Sequence, residues 1–211
     1  MGTAIEQMHT LRQIGAIKAI GMRGPHPRYG ASPAEQAAHA ERFLYLFRLI
    51  NPDVLWTPFN ALTPAIQLEG ENLFSFTARR GVGLILAAPL AHGLLTGNRA
   101  RPGQQDWCTT SEAFTPRSLE AVASGLQVLR EHFGSAPGTL TRLALRSALQ
   151  RADHCIVVAG LTDERQANEN FGCLGDALTD AELTLIGDVY ARIRAGFEEA
   201  SAQGAAQGVR V

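Results

Sequence analysis

The sequence predicts an α/β fold built on a parallel sheet. Short apolar runs of strand length alternate with helix-patterned segments along the 211 residues, which is the order of βαβ units. The central run, residues 82–88 of GVGLILAAPLAHGLLTGN, is apolar on both faces, as a buried parallel strand requires. Pro89 cannot continue a ladder, so the chain leaves the sheet there. Loops at that end of parallel strands are where ligands bind. A site is therefore expected between Pro89 and Gly97.

Each element follows from local pattern. Residues 3–14 read as a helix with Ile5, Met8, Leu11 and Ile14 on one side, ended by Gly15. Residues 16–21 (AIKAIG) read as the first strand, and the proline- and glycine-rich 24–33 as a loop. Ser32-Pro33-Ala34-Glu35 is a capping box with proline in the first turn. The helix it starts runs to about Ile50 and turns Phe43, Leu44, Phe47 and Ile50 inward. Residues 53–56 form the second strand and lead into the loop PFNALTP. A helix over 70–80 precedes the central strand.

Residues 99–114 read as a long polar loop containing Trp107 and Cys108, with the role of a lid or of a loop packing on itself. Thr115-Pro116 opens a helix to about His132. Thr139 caps the next, with Leu140, Leu143, Ala144, Ser147 and Ala148 inward. Residues 155–158 are the fourth strand, Thr162 caps a helix over 163–172, and Thr179 to Glu182 box the last helix, to about Glu199. Residues 201–211 are expected to fray. No repeat or interior boundary interrupts the chain, so 1–211 reads as one domain.

Composition excludes several classes. With 19 basic and 20 acidic residues there is no electrostatic footprint for nucleic acid or an anionic membrane. No run reaches membrane-spanning length and no signal-peptide pattern opens the chain. Cys108, Cys155 and Cys173 are scattered without metal-ligand spacing, so they read as reduced thiols of a cytoplasmic protein, and no metal site is expected.

Five stretches carry a resemblance: LRQIGAIKAIG (11–21), PDVLWTPFNALTP (52–64), GVGLILAAPLAHGLLTG (81–97), LALRSALQ (143–150) and IVVAGLTDERQANEN (156–170). In order and spacing they resemble the C-terminal half of an aldo-keto reductase, with the third most like the sugar-dehydrogenase branch (L-galactose dehydrogenase-like members). The resemblance implies a partial (β/α) barrel, the last four strands of an eight-stranded TIM-type cylinder. It also implies an oxidoreductase lineage moving hydride between NAD(P)(H) and a carbonyl or alcohol. The strands that in the family carry the catalytic aspartate, tyrosine, lysine and histidine have no counterpart here. Tyr29 and Tyr190 lie outside the motif, and Lys18 would sit mid-strand.

By the same resemblance, Arg23 and Gly24 stand where the family has a serine-asparagine pair on the nicotinamide amide. Trp56 replaces a glutamine and Ala87 a stacking aromatic residue, so the redox end of the cofactor site is eroded. The adenosine end is better matched. Pro89, Leu90, Gly93 and Leu95 correspond to the loop passing the pyrophosphate. Gly160, Thr162, Arg165, Gln166, Glu169 and Asn170 correspond to the grip on the adenosine phosphate and adenine. An anion there would meet free N–H groups of the first helical turn and the charge of Arg165. NADP or NAD is thus expected through its adenosine end only.

Three nitrogen-bearing side chains, Arg23, His26 and His92, fall in strand-end loops together with Arg28, and are the candidates for acid–base work on an anionic small molecule. The bland alternative is that they are exposed loop residues. His9, His39 and His132 read as surface positions, and His154 as structural. Three functions stay open: a repurposed or ligand-binding relative without the tetrad, half of a split oxidoreductase completed by a second chain, and an interaction protein using its sheet edges. Four strands shaped for a closed barrel would leave edges uncovered, so a homodimer or another obligate assembly is expected.

Overall fold

The computed structural model describes residues 2–26, 31–97 and 115–207. Four strands, β1 (Gly21–Arg23), β2 (Val54–Pro58), β5 (Gly83–Ala87) and β6 (Cys155–Val158), form one sheet in the order β1-β2-β5-β6. Every pairing in it is parallel. No helix among the described residues is long and apolar enough to cross a membrane.

The helices pack mainly on one face of this sheet and around its end. Helix α2 (Pro33–Ile50) starts with the expected box: the Glu35 amide donates to the Ser32 hydroxyl and the Ser32 amide to Glu35 Oε2. Its Phe43 and Phe47 pack with Phe76 of α3 (Leu73–Arg79) and with Leu55, Leu84 and Leu86 of the sheet. A second core joins α4 (Pro116–Phe133), α5 (Thr139–Leu149) and α7 (Asp180–Gln207) to Leu62, Ala91 and Leu95 from the loops after β2 and β5. Helices α4 and α7 approach so closely that a Cβ on Gly125 would lie 2.1 Å from Ile193 Cγ1.

Several expectations change. Helix α1 spans Gly2–Gln13, but its apolar stripe is not covered: Met8 and Leu11 are exposed, and Ile14, just beyond it, is 69% exposed. The first strand is residues 21–23 and not 16–21. The amides of Ala16 and Ile17 instead turn back onto the Leu11 carbonyl, so Lys18 sits in an exposed connection. Ahead of α3 lies an unforeseen hairpin, β3 (Gln67–Leu68) and β4 (Glu71–Asn72), turned by Glu69 and Gly70 with φ of 53° and 81°. Asn72 then caps α3 by accepting from the Phe74 and Ser75 amides. Gly138, not Thr139, is the cap of α5. The last helix continues to Gln207, past the expected end at Glu199. The 99–114 loop with Trp107 and Cys108, like Arg28, Tyr29 and residues 208–211, lies outside the described residues.

The central strand is fully covered on one side and partly on the other. Leu84 and Leu86 are sealed in the core, while Ile85 shares the opposite face with Trp56 and Ile156, to which it is registered. Ile156 is 58% exposed and Trp56 38%. The expectation of burial on both faces is therefore met in full on the helix side, and on the other side at Ala87.

Candidate functional site

The carboxyl ends of β1, β2, β5 and β6 bring four loops to one edge of the sheet. At β1, Gly24 donates its amide to the Trp56 carbonyl at 2.7 Å, and a Cβ there would come within 2.8 Å of Thr57 Cβ. Thr57 is fully buried and donates its hydroxyl to the Pro25 carbonyl at 3.1 Å. This pair fixes where the following loop begins. Arg23 lies over the Trp56 ring, its guanidinium carbon 5.2 Å from the centroid.

His26 is held by its main chain, donating its amide to His39 Nε2 at 3.3 Å. Both histidines line a cavity of about 280 Å³, bounded also by Gln36, Pro64 and Gln67. Accepting at Nε2 requires that nitrogen of His39 to be unprotonated. His39, read as a surface position, is in fact half-buried and part of this contact.

The loop after β5 is the most strained stretch described. Ala88, Ala91 and His92 all have left-handed backbone, with φ of 53°, 46° and 54°, and Gly93 and Gly97 follow at 94° and 73°. Outside glycine such conformations cost about 1–2 kcal/mol each and gather where a loop is held for a purpose. Asn60 holds this one: its side-chain amide donates to the Ala88 carbonyl at 3.0 Å, while its Oδ1 accepts from the Leu62 amide. Sequence reasoning missed Asn60. The available signal was an asparagine in a strand-end loop, a residue that builds such turns through its side chain.

Within this loop Pro89 is buried, Leu90 and Gly93 are half-buried and His92 is exposed. Leu95 is sealed in the helical core, and its amide is used by the Leu90 carbonyl. Its side chain is structural.

The segment after β6 leads through Gly160 into α6 (Glu164–Gly172). The cap is Asp163, one residue beyond the expected Thr162. Its carboxylate accepts from the Gln166 amide at 2.7 Å, and Gln166 Oε1 accepts from the Thr162 amide at 3.0 Å. The first-turn donors assigned to an anion are thus partly engaged by the chain's own side chains. Arg165 lies 3.4 Å from Glu169 Oε2 and 3.9 Å from Asp163 Oδ2. Glu169 also accepts from the buried Thr141 hydroxyl at 2.6 Å. Asn170 Nδ2 is buried and has no hydrogen-bond partner among the described residues. The signal for Asp163 was legible: Asp followed three residues later by Gln is itself a capping box pattern.

Other ionisable groups are structural. Tyr190 lies in the helical core, where burial pushes its hydroxyl above the ordinary range against a smaller opposing effect of Ser147. Tyr45 is exposed on α2. His154 Nε2 contacts the buried Thr77 hydroxyl at 2.9 Å, at the amino end of β6. Burial pushes the Cys155 thiol up to about 11, and burial with Glu169 nearby raises Cys173. Among the described residues no three His, Cys, Asp or Glu side chains are grouped to hold a metal ion.

A parallel α/β sheet with its candidate site at the carboxyl strand ends defines the class of protein. The profile of the Aldo/keto reductase family matches residues 2–191, and the chain belongs to that family. It is 32% identical to L-galactose dehydrogenase of Arabidopsis thaliana over 99 residues, 47% of this chain and 27% of that protein. It is 24% identical to NADH-specific methylglyoxal reductase of Escherichia coli K12 over 180 residues, 85% of this chain and 50% of that one. Among solved structures, the glycerol dehydrogenase of Gluconobacter oxydans superposes with a TM-score of 0.64 at 20% identity, covering 90% of this chain and 54% of that one. The holo form of an aldo-keto reductase from Bacillus halodurans gives 0.54 at 22%, covering 88% and 54%. The chain spans half or less of the two sequence relatives and about half of the two solved chains.

Proposed function

We propose that these residues form the nucleotide-holding half of an aldo/keto reductase-type barrel, gripping an NAD(P) dinucleotide by its adenosine end and lacking the proton-delivering tetrad. The observation that carries the reading is Asn170, whose buried amide has no partner among the described residues. It belongs to the segment that, by resemblance, grips adenine. A buried donor left unmade costs about 1–3 kcal/mol, and turning this side chain outward to a base acceptor would satisfy it.

The two ends of such a cofactor fit differently. A bound NAD(P) would bring hydride chemistry, for which the family uses a tyrosine as proton donor. Of the described tyrosines, Tyr190 is core and Tyr45 is exposed on a helix; Lys18 sits in an exposed connection. At the nicotinamide end Arg23 stacks on Trp56 where amide-binding residues would stand. Losing two or three such hydrogen bonds, at about 0.5–1.5 kcal/mol each, leaves that end weakly held. Turnover on a small carbonyl or sugar, the substrates in the relatives' names, therefore depends on residues beyond these 211. Arg23, His26 and His92 remain the groups we assign to an anionic ligand at the strand ends.

A second observation favours completion by another chain. The face carrying Trp56, Ile85 and Ile156 is open in part on the side away from the helices, and among the described residues β1 and β6 each pair on one side. Four further strands would cover both, and we assign them to a second copy or to a separate chain.

The test is turnover. NADH and NADPH are titrated by nicotinamide fluorescence, then with ADP-ribose and a panel of small carbonyls. Fragment binding without oxidation of the reduced cofactor supports the reading. Carbonyl reduction by the purified chain alone, or failure of ADP-ribose to bind, overturns it.

A further inference from the structure

We infer that the adenosine end of this chain selects a ribose with a free 2′-hydroxyl and rejects one bearing a 2′-phosphate. The inference rests on the nucleotide-binding reading above and specifies its ligand. A phosphomonoester carries about −1.5 to −2 charges at neutral pH and needs free donors and a net positive surrounding. At the start of α6 the donors are partly engaged by the chain's own side chains and the surrounding charge is net negative. The helix cap is a carboxylate, Asp163, already accepting the Gln166 amide, and Glu164 places a second carboxylate in the first turn. The Thr162 amide is taken by Gln166 Oε1.

The cation of this segment is compensated as well. Arg165 pairs with Glu169 in the next turn and approaches Asp163, and Glu169 is itself anchored by the Thr141 hydroxyl. Releasing Arg165 to a phosphate would leave Glu169 against a second anion. One cation among three carboxylates makes residues 163–169 net acidic. A neutral hydroxyl tolerates that field, and a carboxylate near the ribose can accept its proton in a hydrogen bond. A second phosphate is repelled, so discrimination comes from a built-in clash of charge.

The test is calorimetric titration of the purified full chain with ADP-ribose and with 2′-phospho-ADP-ribose, at low and at raised salt. ADP-ribose is expected to bind at least about tenfold tighter, with the gap narrowing as salt screens the carboxylates. In Asp163→Asn the side-chain oxygen still caps the helix while the charge is gone, so the gap should shrink several-fold through tighter binding of the 2′-phosphate form. Thermal melting of the variant checks that the fold is kept. Equal or tighter binding of 2′-phospho-ADP-ribose by the native chain overturns the inference and leaves nucleotide binding standing. Binding of neither compound overturns nucleotide binding itself, and this inference with it.

Discussion

Asn60 and Ala88 are joined by one hydrogen bond, 3.0 Å from the Asn60 side-chain amide to the Ala88 carbonyl, at the point where Ala88 turns left-handed ahead of Pro89. The bond links the loop after β2 to the exit of β5. Asn60→Ala is expected to lower stability by about 1–3 kcal/mol, since the Ala88 carbonyl and the Leu62 amide both lose their partner. Chemical denaturation checks the loss, and hydrogen exchange should localise it to residues 87–95.

Ala88 also offers the opposite change. A residue before proline is pushed toward extended backbone, yet Ala88 has φ of 53°. Ala88→Gly removes that conflict and should raise the melting temperature by about 2–4 °C if about 1 kcal/mol is recovered. A lower melting temperature would show that the left-handed turn is not strained.

Asp53 anchors α1 and the edge strand. Its carboxylate accepts the Ile20 amide and an Arg12 guanidinium hydrogen, both at 2.7 Å. The Ile20 hydrogen bond and Arg12 hold its pKa below the ordinary 3.8. A carboxyl depressed in the folded state contributes stability that is present above its unfolded value and lost as pH falls through the folded one. Acid unfolding below about pH 4 should therefore be steeper in the native chain than in Asp53→Asn. Parallel acid titrations followed by circular dichroism make the comparison.

The thiols give a chemical readout. With Cys155 pushed up to about 11 and Cys173 raised by burial, both are protonated at neutral pH, and the thiolate is the reactive form. Alkylation of the native protein at pH 7.5, read by peptide mapping, should modify both more slowly than after unfolding, Cys155 by at least about tenfold.

The open sheet face predicts association. Ile156→Arg, at a largely exposed position registered beside Ile85, should leave the secondary structure unchanged and shift the assembly toward a monomer in sedimentation velocity. A native chain that sediments as a monomer at all concentrations would contradict the assembly reading.

Much of the fold was legible in the sequence because its signals are local. The Ser32 box, the cap at Thr115 and the apolar run closed by Pro89 each declare an element without reference to the rest. What was not legible depends on partners distant in the chain. Strand β1 exists only where Gly21, Met22 and Arg23 meet Val54, Leu55 and Trp56, and nothing in AIKAIG announces that register. The Glu69-Gly70 hairpin has two-residue strands, and its turn glutamate is held from outside by Arg48, Arg79 and Arg80. At the site, matching residues located the segment after β6 but displaced its cap by one, because Thr162 and Asp163 are both good caps and only the bond to the Gln166 amide decides. The strain after β5 was foreshadowed at Gly93 and Gly97. At Ala88, Ala91 and His92 it was not, since none of these side chains favours that backbone.

The central claim is that this chain holds a dinucleotide by one end. It is tested most directly by comparing the affinities of ADP-ribose and NADH for the purified protein in one calorimetric series. The account predicts equal affinities within about threefold, because the nicotinamide adds no partner it can keep. NADH binding more than about tenfold tighter than ADP-ribose would contradict it, by showing that the redox end is gripped after all.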